Sequence, residues 1–220
     1  MIDLSKEGDV FVLHMKDGEN RYNRPFLEAL NAALDEVEAS SGPAALVTTG
    51  AGKFYSNGLD LAWLMGDGAG EMKGFIEDVH ALFARILTFP MYTVAAVNGH
   101  AFAGGAMLMM AHDYKVMRSD RGYFCLPEVD LKMPTTPAMN ALIAARLSRV
   151  AAHEALVTGK RYDAQTALAR DIADDIAPEA EVLPRAIAAA AEYAKKDRKT
   201  IGALKRGLHA EALKVMMAKG

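Results

Sequence analysis

Residues 93–113 read TVAAVNGHAFAGGAMLMMAHD, and this stretch decides the fold class. Its first five residues are mostly apolar and partly β-branched, which predicts a buried strand. The Asn98-Gly99 pair predicts a turn, and Gly104-Gly105 open a helical pattern. Because polar residues and glycines interrupt the apolar run, it does not predict a membrane-spanning helix. A strand, a turn and a helix in this order indicate an α/β protein.

A second segment of the same kind lies upstream. The apolar run AALVTTG begins at Ala44 and is followed by GKFYSNGLDL, residues 52–61. Glycines in such turns let the backbone approach a ligand, and the first amides of the next helix have no intrahelical acceptor. Two turns brought together would offer two amide donors to one oxygen, as an enolate or a tetrahedral oxyanion requires. Strand-glycine-helix turns are also common packing devices, so the residues alone leave both interpretations open.

The remaining chain extends this pattern in both directions. Alternating Phe11, Leu13 and Met15 predict an N-terminal strand, and Pro25 suits the first turn of a helix. YKVMRSDRGYFCLPEVDL, residues 114–131, predicts two short strands around a turn, and MGDGAGEMKG, residues 65–74, predicts a mobile loop. We expect one domain over residues 1–220, with a core over about 1–136 and a mostly helical region over about 137–220.

Composition narrows the class of function. The chain has 25 Lys and Arg against 28 Asp and Glu, a formal charge of −3. This balance gives no general reason to expect nucleic acid or a membrane surface as a partner. The single cysteine, Cys125, excludes an intrachain disulfide and favours a reducing compartment, so we expect a cytoplasmic protein without a signal peptide.

Taken together, the two glycine segments resemble the enoyl-CoA hydratase/isomerase (crotonase-like) family. The first resembles its turn with phenylalanine, a small pair, glycine and aspartate; the second resembles its asparagine-glycine turn and glycine cluster. KFYSNGLDLAWL and HDYKVMRSDRGY are closest to the Δ3,Δ2-enoyl-CoA isomerase branch. The resemblance covers residues 10 to about 168. It implies an enzyme with a spiral of repeated ββα units and a helical C-terminal region, assembled as a homotrimer or hexamer.

The resemblance also implies a set of site residues. The backbone amides of Leu59 and Gly104 would form an oxyanion hole for an acyl-CoA thioester. No metal or other cofactor is expected, since coenzyme A is part of the substrate. The substrate-binding residues would be Ser56, Asn57, Gly58, Asp60, Gly105 and Met107.

Two carboxylate positions distinguish activities within the family. Hydratases carry one carboxylate shortly after the glycine cluster, where this chain has Met107, and one in the proline-glutamate segment, where it has Glu128. A single carboxylate suffices to remove a C2 proton and return it at C4. The resemblance therefore favours isomerisation of 3-enoyl-CoA to 2-enoyl-CoA, with Glu128 as acid and base.

Other functions and residues stay open at this point. A hydratase or thioester hydrolase of the same family would need another way to activate water, and a non-catalytic acyl-CoA-binding protein would need no base. A dinucleotide-binding oxidoreductase is disfavoured because residues 99–105 do not form Gly-x-Gly-x-x-Gly. Asp130 could share a face with Glu128 if both lie on a strand. We expect His100, His112 and Cys125 to be packing or surface residues. The basic candidates for contact with coenzyme A are Arg21, Arg24 and Lys53.

Overall fold

A computed structural model describes residues 1–218 and confirms the α/β class. The strands are β1 (Ile2–Glu7), β2 (Val10–Met15), β3 (Ala45–Gly50), β4 (Phe54–Ser56), β5 (Tyr92–Val97), β6 (His100–Phe102), β7 (Tyr114–Arg118), β8 (Phe124–Cys125) and β9 (Asp175–Ala177). The helices are α1 (Arg24–Ala39), α2 (Leu61–Met65), α3 (Met72–Leu87), α4 (Gly104–Ala111), α5 (Pro137–Arg146), α6 (Arg149–Thr158), α7 (Ala164–Ala169), α8 (Glu179–Tyr193), α9 (Arg198–Leu208) and α10 (Ala210–Met216).

Two sheets organise the chain. The large sheet has the order β1-β2-β3-β5-β7-β9, and the small sheet has the order β4-β6-β8. All pairs except β1-β2 are parallel. Successive units thus place one strand in the large sheet, the next in the small sheet, and then a helix. This alternation is the ββα spiral implied by the resemblance.

The large sheet is covered on both faces, which explains its continuous apolar strands. Along β2, Phe11 and Leu13 point into the main core, whereas Val10 and Val12 point into a second core. Apolar residues of α8 complete that second core. The period of two therefore assigns alternate residues of one strand to two different cores.

Local signals set the helix that precedes the site. Pro25 lies in the first turn of α1 as predicted, and the Asn23 side chain accepts a hydrogen bond from the Phe26 amide at 3.0 Å. This cap fixes where the loop before α1 ends. That loop contains Tyr22, which contacts both glycine turns of the candidate site.

The structure differs from one prediction and adds detail to two others. Residues 65–74 are not a loop throughout, because they include the end of α2, a 3₁₀ turn at Ala69–Glu71 and the start of α3. Residues 114–131 form two strands, but β7 and β8 join different sheets and the turn between them connects layers. The helical C-terminal region is confirmed, although it also contributes β9 to the edge of the large sheet. Within residues 1–218, no helix is long and apolar enough to cross a membrane.

Candidate active site

The first glycine turn follows β4 and is held by backbone hydrogen bonds. Gly58 adopts φ +74°, a conformation that favours glycine. The Tyr22 amide donates to the Gly58 carbonyl at 2.7 Å, and the Asp60 amide donates to the Tyr22 carbonyl at 3.0 Å. In this parallel bridge the N–H of Leu59, between those two residues, points away from Tyr22.

The second glycine turn follows β6 and leads directly into α4. Ala103 adopts φ +48°, which is strained for a residue with a side chain, and its amide donates to the Cys125 carbonyl at 3.0 Å. Gly104 is the first helical residue, so its amide lies at the positive end of α4 and has no intrahelical acceptor.

These two turns are in direct contact. A Cβ atom added to Gly58 would lie 2.6 Å from the Gly104 nitrogen, and one added to Gly104 would lie 3.3 Å from the Gly58 Cα. Among residues 1–218, neither the Leu59 amide nor the Gly104 amide donates a hydrogen bond to another group. The structure therefore brings together two turns that each carry an uncommitted N–H. Such a pair can stabilise a developing negative charge on one oxygen.

Glu128 lies three residues after β8, the strand that pairs with β6 just before the second glycine turn. Its backbone carbonyl accepts a hydrogen bond from Met133 at 3.0 Å, which fixes the turn that follows. Within the described chain, its buried Oε2 atom has no hydrogen-bond partner. Burial raises the pKa of the carboxyl group to about 6. A carboxyl group with a pKa of about 6 can accept and release a proton at neutral pH.

Comparison with known proteins identifies the family. A family model described as enoyl-CoA hydratase/isomerase matches residues 5–219. The chain belongs to the enoyl-CoA hydratase/isomerase family. It is an enzyme of that family with the crotonase-like fold, as the resemblance implied.

Three relatives illustrate the range of names in this family. "Enoyl-CoA delta isomerase 3" of Arabidopsis thaliana is 37% identical over 183 residues, covering 80% of this chain and 77% of the relative. A probable enoyl-CoA hydratase from Mycobacterium tuberculosis has a TM-score of 0.91 at 30% identity, covering 98% and 91% of the two chains. Human mitochondrial delta3-delta2-enoyl-CoA isomerase has a TM-score of 0.89 at 25% identity, covering 97% and 86%.

The predicted substrate-binding residues around the first turn form hydrogen bonds within the protein. The Ser56 hydroxyl donates to the Asn20 carbonyl at 2.8 Å and accepts from the Gly58 amide at 3.2 Å. Asn57 donates from its side chain to Glu19 at 2.7 Å. The Asp60 carboxylate caps α2 by accepting from the Trp63 amide at 3.1 Å. These side chains hold the turn, and their contact with substrate stays a prediction.

The remaining two members of that set lie in α4. A Cβ atom on Gly105 would lie 2.1 Å from the Ser56 carbonyl oxygen, so this position admits only glycine without a backbone shift. Met107 is 1% exposed and belongs to the main core. The structure therefore assigns packing roles to both residues, and acyl contact by Met107 stays a prediction.

The structure does not support the argument that Asp130 shares a face with Glu128. The two residues lie in a turn rather than on a strand, so the period-two argument does not apply. Asp130 is exposed, and its carboxylate would lie 2.8 Å from a Cβ atom on Gly159. This placement directs it toward the end of α6.

The histidines and the cysteine behave largely as packing residues. His112 is fully buried, with Nδ1 2.8 Å from the Leu108 carbonyl and Nε2 2.9 Å from the Thr48 hydroxyl. Burial lowers the pKa of His112 to about 3. Cys125 is buried, which raises the pKa of its thiol to about 11 and makes the thiolate scarce. His100 is partly buried in contact with the rings of Phe54, Phe102 and Tyr123.

The basic candidates for coenzyme A have other contacts. Arg24 forms ion pairs with Glu71 at 2.7 Å and Asp78 at 2.6 Å. Arg21 pairs with Glu19 at 2.6 Å. Lys53 is exposed beside the first turn, with Nζ 5.4 Å from the centre of the Phe54 ring. A role in binding coenzyme A stays a prediction for all three.

Sequence reasoning overlooked Tyr22 and Asn20. Tyr22 is fully buried, and its hydroxyl donates to the Gly104 carbonyl at 3.2 Å. Asn20 is also fully buried, at φ +51°, and its side chain donates to the Tyr55 carbonyl at 2.9 Å. The available signal was Tyr22, a single aromatic residue in the polar stretch GENRYNR. A large ring in a polar segment indicates a side chain that packs against the rest of the protein.

Proposed function

We propose that this enzyme converts 3-enoyl-CoA to 2-enoyl-CoA. Glu128 removes a proton from C2, and the electrons of that C–H bond form a dienolate whose charge lies largely on the thioester oxygen. The same carboxyl group then returns the proton at C4 as the C3–C4 double bond becomes a C2–C3 double bond. The sum is a shift of one double bond, with no gain or loss of atoms or electrons.

The burial and the raised pKa of the Glu128 carboxyl group are the observations that support this proposal most directly. Its Oε2 atom is buried without a hydrogen-bond partner among residues 1–218, and burial raises the pKa of the carboxyl group to about 6. A base with this pKa is largely ionised at neutral pH and is still basic enough to accept a carbon-bound proton once the enolate is stabilised. A carboxylate engaged in a salt bridge would be a weaker base.

The two glycine turns would stabilise the dienolate that forms when Glu128 removes the proton. The amides of Leu59 and Gly104 would donate to the thioester oxygen, and their hydrogen bonds would strengthen as negative charge develops there. Because these donors are backbone groups in two contacting turns, they need little reorganisation during the reaction. The names of the Arabidopsis and human relatives support the same activity.

Hydration is disfavoured by the residue at the other family position. Met107 is a buried thioether and cannot deprotonate water. One observation still keeps a hydratase as the second candidate: the related Mycobacterium tuberculosis protein is described as a probable enoyl-CoA hydratase in one structure and as an enoyl-CoA isomerase in another. A hydratase of this chain would have to activate water with Glu128 alone.

Product analysis separates the candidates. The protein is incubated in deuterated water with 3-enoyl-CoA and, separately, with 2-enoyl-CoA, and products are identified by mass spectrometry. We expect 2-enoyl-CoA from the first substrate and little 3-hydroxyacyl-CoA from the second. Efficient hydration would contradict the isomerase proposal, release of free coenzyme A would indicate a hydrolase, and binding without turnover would indicate a non-catalytic protein.

Three further properties belong to the same proposal. The reaction moves a proton without a change of oxidation state overall, so we propose that it needs no metal or redox cofactor. A homotrimer or hexamer in the cytoplasm stays the expected assembly and location. Mass measurement in solution by light scattering, and assays after chelator treatment, test the assembly and the cofactor requirement.

A further inference from the structure

We infer that Tyr22 is a positioning residue that sets the placement of the Leu59 and Gly104 amides relative to each other. The inference rests on the oxyanion role proposed for those amides. Tyr22 would not touch the reacting atoms. It would act by connecting two turns that lie 45 residues apart along the chain and must aim two N–H groups at one oxygen.

The backbone of Tyr22 fixes the first turn. Its N–H donates to the Gly58 carbonyl at 2.7 Å, and its carbonyl accepts from the Asp60 amide at 3.0 Å. Both hydrogen bonds flank Leu59 and leave the Leu59 N–H on the opposite side of the bridge. Rotation of that peptide would break one of these bonds.

The side chain of Tyr22 fixes the second turn. Its hydroxyl donates to the Gly104 carbonyl at 3.2 Å, and its Cε2 atom would lie 3.0 Å from a Cβ atom added to Gly104. The ring therefore lies against the first residue of α4 and limits how far the helix can move toward the first turn. One residue thus contacts both donors' turns, through its backbone on one side and its side chain on the other.

The ring itself has little freedom to move. Tyr22 is fully buried, with its centroid 5.8 Å from that of Phe26 and 6.4 Å from that of Phe83. Burial raises the pKa of its hydroxyl well above the usual range, so the group stays protonated. It can donate a hydrogen bond at every working pH but takes no part in proton transfer.

Tyr22→Phe tests the inference, with Tyr55→Phe as the matched control. Tyr55 is equally buried, and its hydroxyl bonds to the Thr48 hydroxyl at 2.7 Å rather than to either donor's turn. Both variants lose one buried hydroxyl and keep the ring. A misplaced donor weakens transition-state binding, so we expect kcat of Tyr22→Phe to fall about 10- to 100-fold with KM nearly unchanged. Tyr55→Phe should keep kcat within about threefold of wild type, because it disturbs no donor.

A second measurement does not depend on which reaction the enzyme performs. Butanoyl-CoA carrying carbon-13 at C1 is bound to each protein, and the chemical shift of its carbonyl carbon is read by NMR. Two aligned donors should polarise the carbonyl and move its signal downfield in the wild type and in Tyr55→Phe. In Tyr22→Phe we expect a smaller displacement at saturating ligand.

The outcomes are distinguishable. A wild-type carbonyl without any displacement would remove the oxyanion role and this inference with it. A displaced wild-type signal that Tyr22→Phe reproduces, with wild-type kcat, would overturn the Tyr22 inference alone. If Tyr22→Phe does not fold, Gly104→Ala decides, because it adds a Cβ atom 3.0 Å from Tyr22 Cε2, at the contact between the ring and α4: unchanged kcat and carbonyl shift there would overturn the inference.

Discussion

The two halves of the candidate site are built in opposite ways. The half around Leu59 and Gly104 consists of backbone, in two turns that touch each other and are held by Tyr22 through hydrogen bonds on both sides. The half around Glu128 is a side chain at the start of a turn, and its buried Oε2 atom has no hydrogen-bond partner in the described part of the chain. Hydrogen bonds therefore constrain the glycine turns, whereas the Glu128 carboxyl group is free to accept a hydrogen bond or a proton.

This difference suits the glycine turns to positioning hydrogen-bond donors and suits Glu128 to proton transfer. Donors that stabilise charge work best when they are fixed before the reaction, so constraint serves the glycine turns. A base must change its protonation state in every cycle, so tight pairing of Glu128 would hold it in one state.

Removal of the base should have the largest effect. Glu128→Gln keeps the shape of the side chain but cannot accept the C2 proton, so we expect isomerase turnover to fall by a factor of up to about 10⁴. Exchange of the C2 hydrogen with deuterated water should be lost in parallel. Asp130→Asn is the control, because Asp130 lies two residues away and points toward α6. Turnover near wild type in Glu128→Gln would refute the role of the base.

Disruption of the backbone half should have the next largest effect. Gly104→Val places a branched side chain against Tyr22 and the first turn, so the two amides can no longer converge. We expect a loss of about 100- to 1,000-fold in kcat, the cost of one oxyanion donor. Gly74→Val makes the same change in α3, where an added Cβ meets nothing within 4 Å. A folded Gly104→Val protein with the turnover of Gly74→Val would contradict the oxyanion assignment.

The pH dependence tests the electrostatic difference between the halves. Burial raises the pKa of Glu128 to about 6, and only the ionised carboxylate can act as base. The value of kcat/KM should therefore be level above about pH 7 and fall about tenfold per pH unit well below pH 6. The amide donors do not titrate in this range. A profile without an inflection between pH 5 and 7 would assign the proton transfer to another group.

The smallest expected effect concerns stability rather than activity. Ionised Glu128 is less favourable in the folded protein than in the unfolded chain, because its pKa rises from 4.5 to about 6 on folding. Above pH 6 this costs about 2 kcal/mol, and the cost disappears below about pH 4.5, where both states are protonated. Glu128→Gln should therefore unfold at higher urea concentration than wild type at pH 8 but not at pH 4. Equal urea midpoints for Glu128→Gln and wild type at pH 8 would show that burial of the ionised carboxylate does not destabilise the folded protein.

The fold was more predictable from sequence than the site. Apolar runs ending in glycine identified β3 and β5 because both faces of the large sheet are buried. The spacing of apolar residues could not predict β9, because a strand of three residues is too short to show an alternating pattern. Its partner strand β7 also lies about 60 residues earlier in the chain. The sequence likewise identified the two glycine turns but not Tyr22, because its role depends on contacts with both turns that arise only in three dimensions.

The attachment of β9 and α8 to the large sheet has a consequence for biosynthesis. Until residues 175–193 leave the ribosome, β7 is an unprotected edge and the Val10–Val12 face of the sheet lacks its cover. Open edges and uncovered apolar faces are the usual starting points of aggregation. The nascent chain therefore contains both glycine turns early, yet it stays vulnerable to misassembly until its last third has been translated.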